Sequence, residues 1–197
     1  MAAYDPNLAD RLSSLPKEAF AGEVFRATRV NADPLAPSLY GGRWARPQTA
    51  DAATNVLYTS MERDGALAEI TSFLASLTPI PGPHEIKVTK LLVSTSETLR
   101  LVRTDLNTLG IDMALYGERD YERTQEIGST LAWLGYDGLI APSARWQCDN
   151  LMIFIDNHRL TEKLEAISDE HIEWRHWAQR HGILKNVESS RTTTNNK

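Results

Sequence analysis

The chain has 197 residues, enough for one domain with a sizeable core, and its composition is that of an ordinary globular protein, 42% hydrophobic and 24% charged. A net charge of −5 argues against bulk attraction to nucleic acid or to an anionic membrane, although Arg26, Arg29, Arg43 and Arg46 crowd into one stretch. The single cysteine, Cys148, excludes an internal disulfide and a cysteine-based zinc cluster, and no apolar run approaches the roughly 18 residues of a membrane span.

The opening MAAYDPNLAD carries two acids and no basic, apolar leader, so a cytoplasmic location is the expectation. Residues 1–20 read as a short helical segment, capped near Asp5-Pro6 and ended before Leu15-Pro16. Glu23 to Arg29 reads as a strand, and Val30 to Gly42, with Pro34, Pro37 and Gly41-Gly42, as an irregular loop. Val56 to Ser60 (VLYTS) is strand-like. The helix expected from about Glu62 to Leu77 repeats its apolar positions at Ala66, Ile70, Phe73 and Leu77, which is helical spacing. The prolines of Thr78 to Pro83 stop it. Glu85 to Thr95 and Thr98 to Val102 read as strands, and Asp120 to Leu134 as a helix with Ile127, Leu131 and Leu134 inward. DGLIA (Asp137 to Ala141) and LMIFI (Leu151 to Ile155) are short apolar runs of the buried-strand kind. Residues 162–180 are expected to form one or two helices, and the Ser, Thr and Asn of the last dozen residues to be disordered. Strands and helices mix without regular alternation, which favours a single α+β domain. The expected division is 1–20 helical, 21–158 the core domain, 159–186 a helical extension and 187–197 a tail.

Three constellations could carry chemistry. In Gly41-Gly42-Arg43-Trp44 the paired glycines let backbone amides approach a ligand, and the arginine fork suits a phosphate or carboxylate. The spacing fits neither a Walker loop nor a dinucleotide fingerprint. Tyr58 precedes Glu69 by eleven positions, and Glu69 lies about 60–80° around its helix from the apolar stripe, at the edge of the buried face. Pro142-Ser143-Ala144-Arg145 follows the DGLIA strand, and Asn150 opens the next, a loop placement suited to a polar ligand. Ser143 lacks the flanking glycines of a hydrolase elbow. His171, His176 and His181 are spaced by fives, off any single helical face, so no metal site is expected. Each constellation alone is also an ordinary turn, helix edge or cap.

Together the pieces resemble the RES family, named for its Arg, Glu and Ser residues. VFRATR, a proline-containing loop, GGRW, VLYTS, ALAEI, DGLIAPSAR and NLMIF occur here in the family's order, from about Glu23 to Asp156. The resemblance implies a fold like that of ADP-ribosyltransferases and a toxin of a bacterial toxin–antitoxin pair that acts on NAD as substrate, with no true cofactor. By that resemblance the family's Arg falls on Arg43, its Glu on Glu69, its Ser on Ser143 and its tyrosine on Tyr58. Arg26 and Asn150 match the leading-strand arginine and the later asparagine, with Gly42, Trp44 and Arg145 as further binding positions. Ala45 stands where the family often has Asn. The implied partner is an Xre-like helix-turn-helix antitoxin, which would carry any DNA binding.

Cleavage of the nicotinamide–ribose bond passes through an oxocarbenium-like state that a nearby carboxylate stabilises. Glu69 is the expected acid, and Arg43 with Arg26 the expected pyrophosphate anchor. Tyr58 offers a ring and a hydroxyl, and Ser143 a group for ribose or amide. Water, phosphate or a protein side chain could accept the ADP-ribosyl group. A non-catalytic nucleotide-binding subunit is the reading from another class.

Overall fold

The computed structural model describes residues 6–48 and 54–185. The expected Asp5 cap and the tail from 187 lie outside the described residues. In chain order the elements are α1 (Pro6–Ser13), β1 (Lys17–Arg29), β2 (Val56–Ser60), α2 (Arg63–Ala75), β3 (Glu85–Arg100), α3 (Arg103–Thr108), α4 (Glu122–Trp133), β4 (Gly138–Pro142), β5 (Asp149–Phe154), β6 (Leu164–Glu173) and α5 (Trp174–Arg180). This is a mixed α+β domain, and no helix among the described residues is long and apolar enough to cross a membrane.

The strands close on themselves. β1 pairs antiparallel with β3 along its length, from Lys17 opposite Leu99 to Arg29 opposite Ile86. The other edge of β3 carries β6 over its first half and β4, parallel, over its last residues. β4, β5 and β2 follow in antiparallel order, and β2 meets β1 again at Phe25 opposite Ser60. Every strand of this ring puts alternate side chains inside. Val24, Leu57, Leu91, Val93, Ile140, Leu151 and Ile153 form one apolar cluster within it. Their neighbours Val56, Leu139, Ala141, Met152 and Phe154 face the opposite way, into a second cluster with Leu8 and Leu12 of α1 and Ile127 and Leu131 of α4. Burial on both faces is why DGLIA and LMIFI are unbroken apolar runs rather than alternating ones. A third cluster joins Leu67 and Ala68 of α2, Ile86 and Val88 of β3, and Trp174, Trp177 and Ala178 of α5.

Several expectations need correction. β1 begins at Lys17 rather than Glu23, because the long β3 supplies hydrogen-bond partners for the extra residues. The two strands expected between Glu85 and Val102 are one continuous strand. Residues 162–180, expected to be helical, form β6 followed by the single short helix α5. β6 is an edge strand on β3 with side chains mostly exposed, Glu165, Asp169 and Glu170 among them, and such charges guard an open edge against pairing with another chain. α2 ends at Ala75 and turns Leu67, Ala68 and Thr71 into the core beside Ala66; of the expected Ala66–Ile70–Phe73–Leu77 stripe only Ala66 is fully buried, Ile70 packs at the core's edge and Phe73 is 48% exposed.

Candidate active site

A cleft of about 460 Å³ opens where β1 and β2 part, between Phe25–Ala27 of β1, Tyr58–Ser60 of β2, the Gly41–Trp44 turn and α2. Ala66, Glu69, Ile70 and Phe73 line it, so the apolar stripe read from the sequence runs along the boundary between this cleft and the core. A second depression of about 520 Å³ lies between the start of α2, β6 and α5. It holds none of the expected site residues, and its Arg63 is already paired with Glu170 and Asp64.

Glu69 sits at the centre of the polar wall. Its Oε1 accepts hydrogen bonds from Ser143 Oγ at 2.8 Å and Asn150 Nδ2 at 3.0 Å. Ser143 is 3% exposed and its oxygen also accepts from the backbone N–H groups of Arg145 (3.1 Å) and Trp146 (3.2 Å). The serine is therefore committed on every side, and its contribution is to hold the carboxylate rather than to line the cleft. Three elements converge here: α2 brings the acid, the β4–β5 loop the serine, and β5 the asparagine.

The opposite wall is built on the glycine turn. Gly41 has φ of +66°, and a Cβ on it would lie 2.4 Å from the Ala45 carbonyl oxygen. A Cβ on Gly42 would lie 2.8 Å from the Tyr58 ring. The turn closes with Gly42 N–H donating to Ala45 O at 2.8 Å, and Trp44 N–H donates to the Tyr58 hydroxyl at 3.1 Å. Burial pushes the Tyr58 phenol well above its usual range, the turn's amides opposing it, so Tyr58 stays a neutral hydroxyl. Trp44 is 2% exposed with its ring in the core, so what it gives the site is the placement of its main chain. Arg43 projects between two aromatic rings, its guanidinium 4.6 Å from the centroid of Tyr116 and 4.7 Å from that of Tyr121, and it donates to the Glu118 carbonyl at 3.3 Å.

Two polar atoms at the cleft have no hydrogen-bond partner among the described residues: Arg26 Nη1 and Asn150 Oδ1, both buried. Burial lowers the Arg26 pKa to about 10, with Asp33 opposing the shift. Unmet buried donors and acceptors are costly, and a donor and an acceptor at one cleft are what a polar ligand would satisfy. Among the described residues four arginines line the cleft (Arg26, Arg43, Arg119 and Arg145), and Glu69 is its one carboxylate. A chain of net charge −5 thus encloses a strongly positive cleft suited to an extended anion.

The structure brings together Arg26, Gly42, Arg43, Tyr58, Glu69, Arg145 and Asn150 around one cleft, with Ser143 behind Glu69 and the Trp44 ring in the core. Sequence reasoning missed Tyr116, Tyr121 and Arg119. The last donates to the Ser72 carbonyl and lies 5.8 Å from the Phe73 ring centroid. No local motif marks residues 103–121, and only the tertiary fold sets them against Arg43. The Tyr116 hydroxyl donates to Pro142 O, and burial pushes its pKa up to about 12.

Fold and site together define a mixed α+β domain with a basic cleft and one anchored carboxylate. The RES domain matches residues 23–176, and the chain belongs to this family. The match runs past Asp156, where the sequence motifs stop, through β6 and into α5. No curated protein sequence matches. The fold is similar to that of a chain in the crystal structure of the M. tuberculosis MbcT–MbcA toxin–antitoxin complex, with a TM-score of 0.72 at 14% identity, covering 90% of this chain and 98% of the other.

Proposed function

We propose that the protein is the toxin of a toxin–antitoxin pair and that it destroys NAD by cleaving the bond between nicotinamide and ribose. The observation that carries this reading is the anchored carboxylate. Glu69 is held through one oxygen by Ser143 and Asn150, while its other oxygen has no hydrogen-bond partner among the described residues. A fixed negative charge, preorganised at the wall of a basic cleft, stabilises a cation that develops beside it without reorganising during the reaction. Nicotinamide leaves with the bonding electron pair, positive charge spreads over the ribose, and the oxygen of water or phosphate bonds to the anomeric carbon as its proton departs. Arg43 and Arg26 answer the pyrophosphate. NAD is the substrate, and no cofactor is needed.

An unrestrained enzyme of this kind would exhaust its own cell's NAD, so it requires a neutralising partner, for which an Xre-like helix-turn-helix antitoxin is our candidate. The neighbouring fold comes from a toxin–antitoxin complex, and the mouth of the cleft exposes Tyr40 (89%) and Phe73 (48%), apolar surface that a partner would cover. The setting is the cytoplasm, where NAD is abundant.

Incubating the purified protein with NAD, with and without phosphate, tests the reading. Free nicotinamide should appear as NAD falls. Stable NAD over hours at micromolar protein refutes degradation, and labelled ADP-ribose appearing on a protein acceptor would establish transferase activity in its place.

A further inference from the structure

The four-residue turn Gly42–Ala45 carries Arg43, yet its own backbone closes it with one hydrogen bond, Gly42 N–H to Ala45 O. Besides the bond from the Trp44 amide to the Tyr58 hydroxyl, it is held from α4. Gln125 Nε2 donates to the carbonyl of Gly42 at 2.9 Å and to that of Ala45 at 3.4 Å, so one side-chain amide ties both ends of the turn. One turn further along the same helix face stands Gly128. A Cβ there would lie 1.9 Å from the Trp44 carbonyl oxygen, so the missing side chain is what lets the turn sit directly on the helix. The segment leading into α4 supplies Tyr116 and Tyr121, which flank the Arg43 guanidinium. Main chain and side chain of Arg43 are therefore both set from the same part of the structure.

We propose that Gln125 is a positioning residue for Arg43, fixing from α4 the direction in which the arginine meets the anionic part of the ligand. This rests on the reading of Arg43 as the anchor for NAD. Removing the amide donors leaves the Gly42 carbonyl without its partner and the buried Ala45 carbonyl with the Gly42 N–H alone. The turn then moves to find water, and Arg43 moves with it. A glutamate at the same place would set a carboxylate against those two carbonyls and displace the turn further.

The test compares Gln125→Met, similar in length but without donors, and Gln125→Glu, each alone and combined with Arg43→Ala. Gln125→Met should raise the dissociation constant for NAD roughly 5- to 10-fold, the worth of one or two lost hydrogen bonds, with kcat within about twofold of the parent and Gln125→Glu more severe. In the Arg43→Ala background the same change should add less than about twofold, because nothing remains to be positioned. Amide hydrogen exchange at Gly42 and Trp44 should quicken about tenfold in Gln125→Met, while Ile127 and Leu131 in α4 keep their protection. Unchanged NAD affinity and exchange in Gln125→Met would overturn the proposal. So would an equal loss of affinity with or without Arg43, or a loss that comes with general unprotection of α4, since either makes Gln125 merely structural. If the parent protein binds no NAD, it is the functional reading that fails, and the exchange of the Gly42 and Trp44 amides alone decides the role of Gln125.

Discussion

Replacing Glu69 with Gln separates charge from shape at the centre of the site. The amide oxygen of glutamine can take the place of Oε1, which accepts from Ser143 at 2.8 Å and from Asn150 at 3.0 Å. Both bonds persist but lose their charge assistance, a cost of about 1–2 kcal/mol in stability, or roughly 2–8 °C in melting temperature for a chain of this size. The other position, an oxygen without a protein partner, becomes an uncharged NH2. If that oxygen's charge stabilises the ribosyl cation, cleavage should slow by about 10²- to 10³-fold, equivalent to about 3–4 kcal/mol. NAD affinity should change far less if, as proposed, the arginines hold the pyrophosphate. Nicotinamide release under saturating NAD measures the first quantity and calorimetric titration of NAD the second. A folded Glu69→Gln protein that retains more than about a tenth of the parent rate, or whose defect lies wholly in affinity, would refute this role.

Ser143→Ala removes both the donor to Glu69 and the acceptor for two backbone amides. It should cost about 2–4 kcal/mol of stability by denaturant melting and slow nicotinamide release with NAD affinity largely retained. Arg26→Met should raise the melting temperature of the free protein by a few degrees, because it deletes a buried group whose Nη1 has no partner; the same change should weaken NAD binding, and a fall in melting temperature would count against a ligand-directed arginine. The acid limb of stability should depend on Arg63, whose paired hydrogen bonds of 2.7 and 2.8 Å lower the pKa of Glu170 below its usual 4.5. With the folded pKa depressed, this contribution is present above about pH 4.5 and lost as the pH falls through the folded value. Both side chains are partly exposed, so it is worth under about 1 kcal/mol. Stability curves for Arg63→Ala and the parent should separate above that pH and converge below it.

Much of the site was legible because its parts lie in short motifs with local consequences. Paired glycines mark a turn, a carboxylate at the edge of a helical stripe marks a boundary, and a serine after an apolar strand marks a loop. What local pattern could not convey is what stands opposite. The stripe through Ala66, Ile70 and Phe73 was legible as apolar, but a cleft and a core both favour apolar neighbours, and only the fold assigns Leu67 and Ala68 to the core. Ser143 looked like a ligand contact because a loop hydroxyl is polar; in the structure its hydroxyl bonds Glu69, from another element, and two local amides. β6 escaped notice because an exposed edge strand rich in acids has no buried face to impose a period of two. Tyr116 and Tyr121 were invisible for a different reason, since their significance is the guanidinium between them, more than seventy positions earlier in the chain.

The ring of strands has one seam, and it coincides with the cleft. β1 is stitched to β3 along its whole length, whereas it meets β2 only at Phe25 opposite Ser60. Arg26, next to that meeting point on β1, and Asn150, opposite Ser60 on β5, carry the two unpartnered atoms, one on each side of the gap. Apart from that single bridge, no strand pairing among the described residues joins β1 to β2, and the sheet otherwise connects them the long way round, through β3, β4 and β5. A ligand that touches both therefore fastens the barrel where its own backbone does not, and its binding energy becomes folding energy, growing as RT ln(1 + [L]/Kd). On the proposed reading this has a mechanical consequence: each release of product unfastens the seam, and the empty protein is the less rigid form.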